Sequence, residues 1–328
     1  MKHLRIIFIL LVLVTSPAIG QWKKVFDMQS LGSAAFFLNP SVGWIGTGNY
    51  PFGSLGAIFY TTNGGATWGR SFMPNMNLVG QVTDIYFVDS THGWATIREA
   101  IEHGWSGLYR TFDGGQSWQL WYQTTFPIAI RQNSKGIFFT ARLEGVQRSV
   151  DDGLSFQTIL VNSGALGLDL DEKLGIVSSE ATNTYNVTTD GGLSWHPFTL
   201  NQEAWGSFVD AATNSLFVSS ERDNKFPGTS SIIASITPTG VAATQLFIGK
   251  GDELTGGIAG NKGCRSVIYV QKQSGDGTDG LLRSTDAGAT WVPVRGPYNL
   301  NDKRFAVTGN GAVVYAFDAN GGVWKTSN

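Results

Sequence analysis

From Ala34 onward the chain alternates short apolar runs with turns rich in glycine, asparagine and aspartate. Ala34 to Leu38 reads as a strand, Asn39 to Gly43 as a turn, Trp44 to Gly46 as a second strand and Asn49 to Gly56 as a loop. Ala57 to Thr61 is then a third strand, and Trp68 to Met73 a fourth. The next stretch repeats that order: Val82 to Val88, a turn from Asp89 to Gly93, Trp94 to Arg98, a loop, Leu108 to Thr111, and Trp118 to Gln123. Similar turns recur at Gln132–Gly136, Asp171–Gly175, Ala259–Gly263 and Thr308–Gly311. Runs this short, bounded by turn formers, predict antiparallel strands, and no long helical pattern follows residue 20.

The turn between the third and fourth strands is the most regular. It reads Ser/Thr, any residue, Asp/Asn, any residue, Gly, any residue, Ser/Thr, aromatic. It spans Thr61 to Trp68, Thr111 to Trp118, Ser149 to Phe156, Thr188 to Trp195 and Ser284 to Trp291. A worn copy near Ser235 to Gly240 fills the wide gap before Ser284, and a truncated one starts at Thr326. A period of about 40 to 50 residues with four strands per unit predicts propeller blades, and the starts count seven of them.

The chain's ends complete the ring. Val323 to Thr326 looks like a third strand with the start of a box, and Trp22 to Val25 looks like the fourth strand that should follow one. The expected fold is therefore an all-β, seven-bladed propeller of four-stranded antiparallel blades, with the N-terminal strand completing the last blade. Such a join removes an exposed sheet edge. The abrupt end at Asn328, within a box, is compatible with a sorting or anchoring tail beyond it.

The first twenty residues stand apart. Lys2 and Arg5 precede an apolar run from Ile6 to Val14, with Pro17, Ala18 and Gly20 after it. This predicts a secretory leader cleaved after Gly20, leaving 21–328 as one domain. The apolar run falls well short of the roughly 20 residues a membrane span needs. Localisation is expected to be secreted, periplasmic or cell-surface.

Without Lys2 and Arg5 the 23 basic residues become 21 against 25 acidic ones, a net charge near −4. That balance invites neither nucleic acid nor an anionic membrane surface. The single cysteine, Cys264, excludes an internal disulfide, so stability must come from the core, for which 42% apolar content suffices. Cys264 itself, at the start of the apolar run Val267 to Val270, reads as a small core residue.

In the boxes, Asn63, Asp113, Asp151, Asp190 and Asp286 are placed to accept backbone N–H bonds two or three residues on. The glycine two positions later tolerates positive φ, and the closing aromatic buries its ring in the blade. These residues resemble Asp-box, or BNR, repeats, found in sialidases, xyloglucan-degrading enzymes, sortilin-type receptors and photosystem II assembly factors of the Ycf48 type. The Gly43-Trp44 and Gly93-Trp94 elements are similar to those of Ycf48-like repeats. The resemblance implies that the boxes lie on the outer rim, away from any site.

The opposite face collects the loops between second and third strands and those joining blades. Its candidate binding residues are Tyr50, Phe52, Arg98, His103, Trp105, Glu203, Trp205, Arg222 and Tyr298. Glu99 with Glu102, or Glu221 with Asp223, are candidate carboxylate pairs for glycoside hydrolysis, which needs two carboxyl groups about 5 to 9 Å apart. Against an enzyme, the early Arg-Ile-Pro motif of sialidases is missing, since the first arginine after the leader is Arg70. The xyloglucanases that share the repeat use two propellers, and this chain holds one. The four histidines, His3, His92, His103 and His196, show no zinc spacing, and no cofactor is expected. The expected function is a monomeric, exported, non-catalytic module binding a protein or carbohydrate, with a glycoside hydrolase as the alternative. Ycf48-type proteins bind through an arginine patch, which the scattered arginines here do not reproduce in sequence.

Overall fold

The computed structural model describes residues 22–48, 56–73, 80–99, 106–161, 165–179, 184–199, 204–210, 214–220, 231–237, 243–249, 253–260, 267–273, 280–295, 300–308 and 311–327. Seven four-stranded antiparallel sheets make up the fold, and no helix occurs among the described residues. Six sheets are built from consecutive strands. The seventh joins Leu300–Thr308, Val313–Asp318 and Gly322–Ser327 to the N-terminal strand Lys23–Asp27, which pairs antiparallel with Gly322–Ser327. The expected closure is present, and it makes the fold a closed ring of seven blades.

The first strand of each blade faces the axis. These inner strands are Gly32–Phe37, Gly80–Phe87, Pro127–Asn133, Ala165–Leu170, Ala204–Asp210, Glu253–Gly260 and Leu300–Thr308, in blades 1 to 7. Each packs beside the next, and the seventh returns to the first. In blades 1 to 5 the pairing register slips by one residue in the first half of the inner strand, leaving Ser33, Thr83, Ile128, Leu166 and Trp205 as the extra residue. Such bulges bend a strand and increase its twist, as convergence on a narrow channel requires.

The boxes lock blades together as well as turning the chain. In five of them the first hydroxyl donates to the Asp or Asn side-chain oxygen two residues on and accepts the N–H of the glycine four residues on. The acidic or amide oxygen accepts a backbone N–H four residues on, one residue later than the sequence predicts, with Leu193 three residues on as an added donor in blade 4. That longer reach follows from two successive left-handed residues: Gly64 and Gly65 in the first box, and Asp152 and Gly153 in the third. At Asp151 and Asp286 the hydroxyl and N–H donors hold the carboxyl pKa down to about 2. At Asp190 burial works the other way, but the bonds from Ser194, Thr188 and Leu193 outweigh it and the carboxyl pKa is again about 2.

The second box glycine backs onto the aromatic that opens the second strand of the preceding blade. A Cβ on Gly115 would come within 2.5 Å of Trp44 Nε1, and one on Gly192 within 2.7 Å of the Phe138 ring. Trp44 Nε1 also donates to the Gly114 carbonyl at 2.8 Å, and the Tyr315 hydroxyl of blade 7 donates to Gly64 of blade 1 at 2.9 Å. This explains why glycine and a large aromatic recur together in the repeat. Arg110 adds a link between blades 2 and 3, pairing in bidentate fashion with Asp152 while its guanidinium lies 4.6 to 4.7 Å from the rings of Trp94, Phe112 and Trp121. Asp151 and Asp152 are thus divided between a turn and an inter-blade ion pair, in keeping with a structural role.

Candidate functional site

Charged residues within the inner strands define the site. Asp84, Arg131 and Asp169 stand on the inner strands of blades 2, 3 and 4, each the one charged residue of its strand. A charge placed there needs a partner or access to water. Arg131 Nη1 donates to Asp84 Oδ2 at 2.5 Å, and its Nε lies 3.5 Å from Asp169 Oδ1. The side chains are 18%, 19% and 11% exposed for Asp84, Arg131 and Asp169, so the group is mostly buried but keeps an opening to the channel.

Backbone donors extend the array on both sides. Asp84 Oδ2 also accepts the Ile130 N–H of blade 3 at 3.0 Å, and Asp169 Oδ2 accepts the Val209 N–H of blade 5 at 2.7 Å. One polar chain therefore crosses blades 2, 3, 4 and 5. Burial alone would favour loss of the Arg131 proton, but the attraction of Asp84 and then Asp169 dominates and raises its pKa. Tyr86, 5.6 Å below the Arg131 guanidinium, donates its hydroxyl to the Gln132 carbonyl at 2.9 Å, and burial raises its pKa.

These residues line a central cavity of about 710 Å³. It runs from Leu38, on the box-side turn of blade 1, to Arg98 and Arg142, at the opposite end of blades 2 and 3. Arg98 stands near the end of the second strand of blade 2 and lies 5.7 Å from the Phe126 ring, while Arg142 sits in the turn after Gly136–Ala141. Forty-four residues separate these two arginines in sequence, and the ring brings both to the wall of one cavity.

Of the residues singled out from sequence, Arg98 is at this cavity. Arg98 lies in the second strand, as the run Trp94 to Arg98 predicts, and the strand Gly93–Glu99 continues one residue further, so Glu99 is a strand residue and not part of the loop, because Gly80 pairs with it and carries the ladder to its end. Glu99 is 8% exposed, and its backbone N–H donates to Ser106 Oγ at 3.0 Å. Trp205 is likewise a strand residue, at the bulge of Ala204–Asp210, and not part of a loop. Tyr50, Phe52, Glu102, His103, Trp105, Glu203, Glu221, Arg222, Asp223, Cys264 and Tyr298 lie outside the described residues, as does the leader. Asn186, in the sequence pattern of a glycosylation acceptor, is 8% exposed within Thr184–Thr188. Sequence reasoning misses Asp84, Arg131, Asp169 and Arg142. For the first three, the available signal is a charge in the middle of an inner-strand run.

Comparison with solved structures places the fold among known propellers. Ycf48 bound to a D1 peptide matches with a TM-score of 0.69 at 15% identity, over 95% of this chain and 98% of that one. Ycf48 from Cyanidioschyzon merolae matches at 0.67 and 14%, over 93% and 98%. The GH74 xyloglucanase from Xanthomonas campestris matches at 0.69 and 15%, over 94% of this chain but 54% of the enzyme. At these identities the likeness is one of fold, and at that level the resemblance to Ycf48-like propellers holds. No protein-family profile matches the chain, and no curated protein sequence does. No helix among the described residues is long and apolar enough to cross a membrane, and no group of histidine, cysteine, aspartate and glutamate among them is arranged to hold a metal ion.

Proposed function

We propose that this chain is an exported, non-catalytic binding module that receives a segment of a protein partner on the face opposite the boxes. The observation that carries this reading is the meeting of Arg98 and Arg142 at the end of the cavity on that face. Arginine's planar fork suits a carboxylate, and rim charges of this kind steer and orient a partner. The Ycf48 structure, similar in fold over nearly its full length, has a peptide bound. Export rests on the leader pattern ending at Gly20, and N-terminal sequencing of the exported protein should begin at Gln21.

The hydrolase alternative draws support from the GH74 likeness, yet the chain spans about half the length of that enzyme. The channel carboxylates Asp84 and Asp169 are also held by Arg131 and by backbone N–H groups, an arrangement suited to fixed support more than to proton transfer. The reading is tested on an array of acidic and neutral peptides probed with the purified protein. Acidic sequences should bind preferentially, and Arg98→Ala with Arg142→Ala should weaken that binding by about tenfold or more, the scale of one lost charge-assisted contact. Binding unchanged in the double variant would overturn it.

A further inference from the structure

Three asparagines in the chain precede a glycine: Asn63, Asn310 and Asn320. An asparagine in that position can close onto its own backbone, because the following residue has no Cβ to keep its nitrogen from the side-chain carbonyl and leaves the backbone free to turn. Asn310 lies outside the described residues, and the fold holds the other two in opposite ways. Both are exposed, so access to water does not separate them.

In the first box the Asn63 carboxamide is fixed. Its Oδ1 accepts the Thr61 hydroxyl at 3.0 Å and the Thr67 N–H at 2.9 Å, while its Nδ2 donates to Thr67 Oγ1 at 2.8 Å. These bonds must break before the carboxamide can swing onto the backbone. The nitrogen it would meet is also engaged, since the Gly64 N–H donates to the Ser41 carbonyl at 2.8 Å.

Asn320 is held far less. It occupies the third position of the tight turn 318–321, which joins the second and third strands of blade 7. Its backbone N–H donates to Asp318 Oδ1 at 2.8 Å, but its carboxamide makes no hydrogen bond among the described residues. The Gly321 N–H makes the turn's own bond, to the Asp318 carbonyl, at a longer 3.1 Å. We infer that Asn320 is a modification site, at which the folded chain deamidates spontaneously while the box shields Asn63.

In the reaction the Gly321 nitrogen gives up its proton to solvent and bonds to Asn320 Cγ. The bond from Cγ to the side-chain nitrogen breaks, and ammonia leaves a cyclic succinimide. Water then adds to one of the two imide carbonyls and opens the ring, giving aspartate or isoaspartate with one new carboxylate. A turn between second and third strands lies at the end of the blade opposite the box. The added negative charge therefore appears on the face opposite the boxes, whatever that face binds.

The experiment incubates the full folded protein at mildly alkaline pH in heavy-oxygen water, with a parallel sample unfolded in guanidinium chloride. Peptides containing Asn63 and Asn320 are then quantified by mass spectrometry, where incorporated solvent oxygen marks conversion during the incubation. In the folded chain Asn320 should convert at least about tenfold faster than Asn63, the difference made by hydrogen bonds that must first open. In guanidinium the two should convert at similar rates, because the box and the turn are both gone. Asn63 converting as fast as Asn320 in the folded chain, or Asn320 persisting there while both convert in guanidinium, would overturn the inference.

Discussion

Arg131→Ala should destabilise the folded chain by about 3–5 kcal/mol, the usual result of removing one partner from a buried ion group. The guanidinium is the shared cation of Asp84 and Asp169, whose side chains are 18% and 11% exposed. Without it two carboxylates face one another across a poorly hydrated wall. Arg131→Lys keeps the charge but has no planar fork to span both partners, so an intermediate loss is expected. Replacing all three, as Arg131→Met with Asp84→Asn and Asp169→Asn, should recover most of the stability, because no uncompensated charge remains and the amide oxygens still accept the Ile130 and Val209 N–H groups. Urea unfolding of the parent and the three variants measures it. A loss under about 1 kcal/mol in Arg131→Ala would mean that the array is not held as described.

Removal of Trp22–Asp27 should be comparably damaging. Lys23, Lys24, Phe26 and Asp27 pair with Lys325, Trp324, Val323 and Gly322, so the deletion strips blade 7 of its fourth strand. Phe26 also reaches into blade 1, with ring centroids 5.1 Å from Phe59 and 5.5 Å from Trp68. Burying two apolar side chains such as Val25 and Phe26 contributes about 3–6 kcal/mol if complete, and the lost strand frees the edge of Gly322–Ser327. A fall of about 10 °C or more in thermal midpoint, with reduced solubility, is expected from calorimetry and sedimentation. A deletion protein that melts with the parent would show that the ring does not depend on this join.

The ring itself is legible in sequence because its signals are local. Turn residues at fixed offsets, a recurring hydroxyl-acid-glycine box and the matching fragments at Trp22 and Thr326 count blades without any knowledge of packing. Which strand residues converge is not legible in the same way. Asp84, Arg131 and Asp169 are separated by 47 and 38 residues, and only the circular arrangement of inner strands makes them neighbours. Each is the one charge in its strand, while charged loops, the usual places for binding residues, draw attention elsewhere. Arg98 is common to both because the strand ends where the loop begins. The one-residue difference in box geometry has a similar origin. Gly64 and Gly65 are recognisable as permissive, but Asp152 and Ala287 adopt the same left-handed conformation without glycine's freedom, at φ of 61° and 57°.

The central claim is that the channel-side carboxylates support a binding site and perform no chemistry. Purified protein is incubated with fluorogenic sialosides and β-glucan oligosaccharides, alongside Asp84→Asn, Asp169→Asn, Glu102→Gln and Glu221→Gln. The expected result is release no faster than in buffer for every protein. Turnover by the parent that disappears in any one of the four variants would contradict the claim and make the chain a glycoside hydrolase.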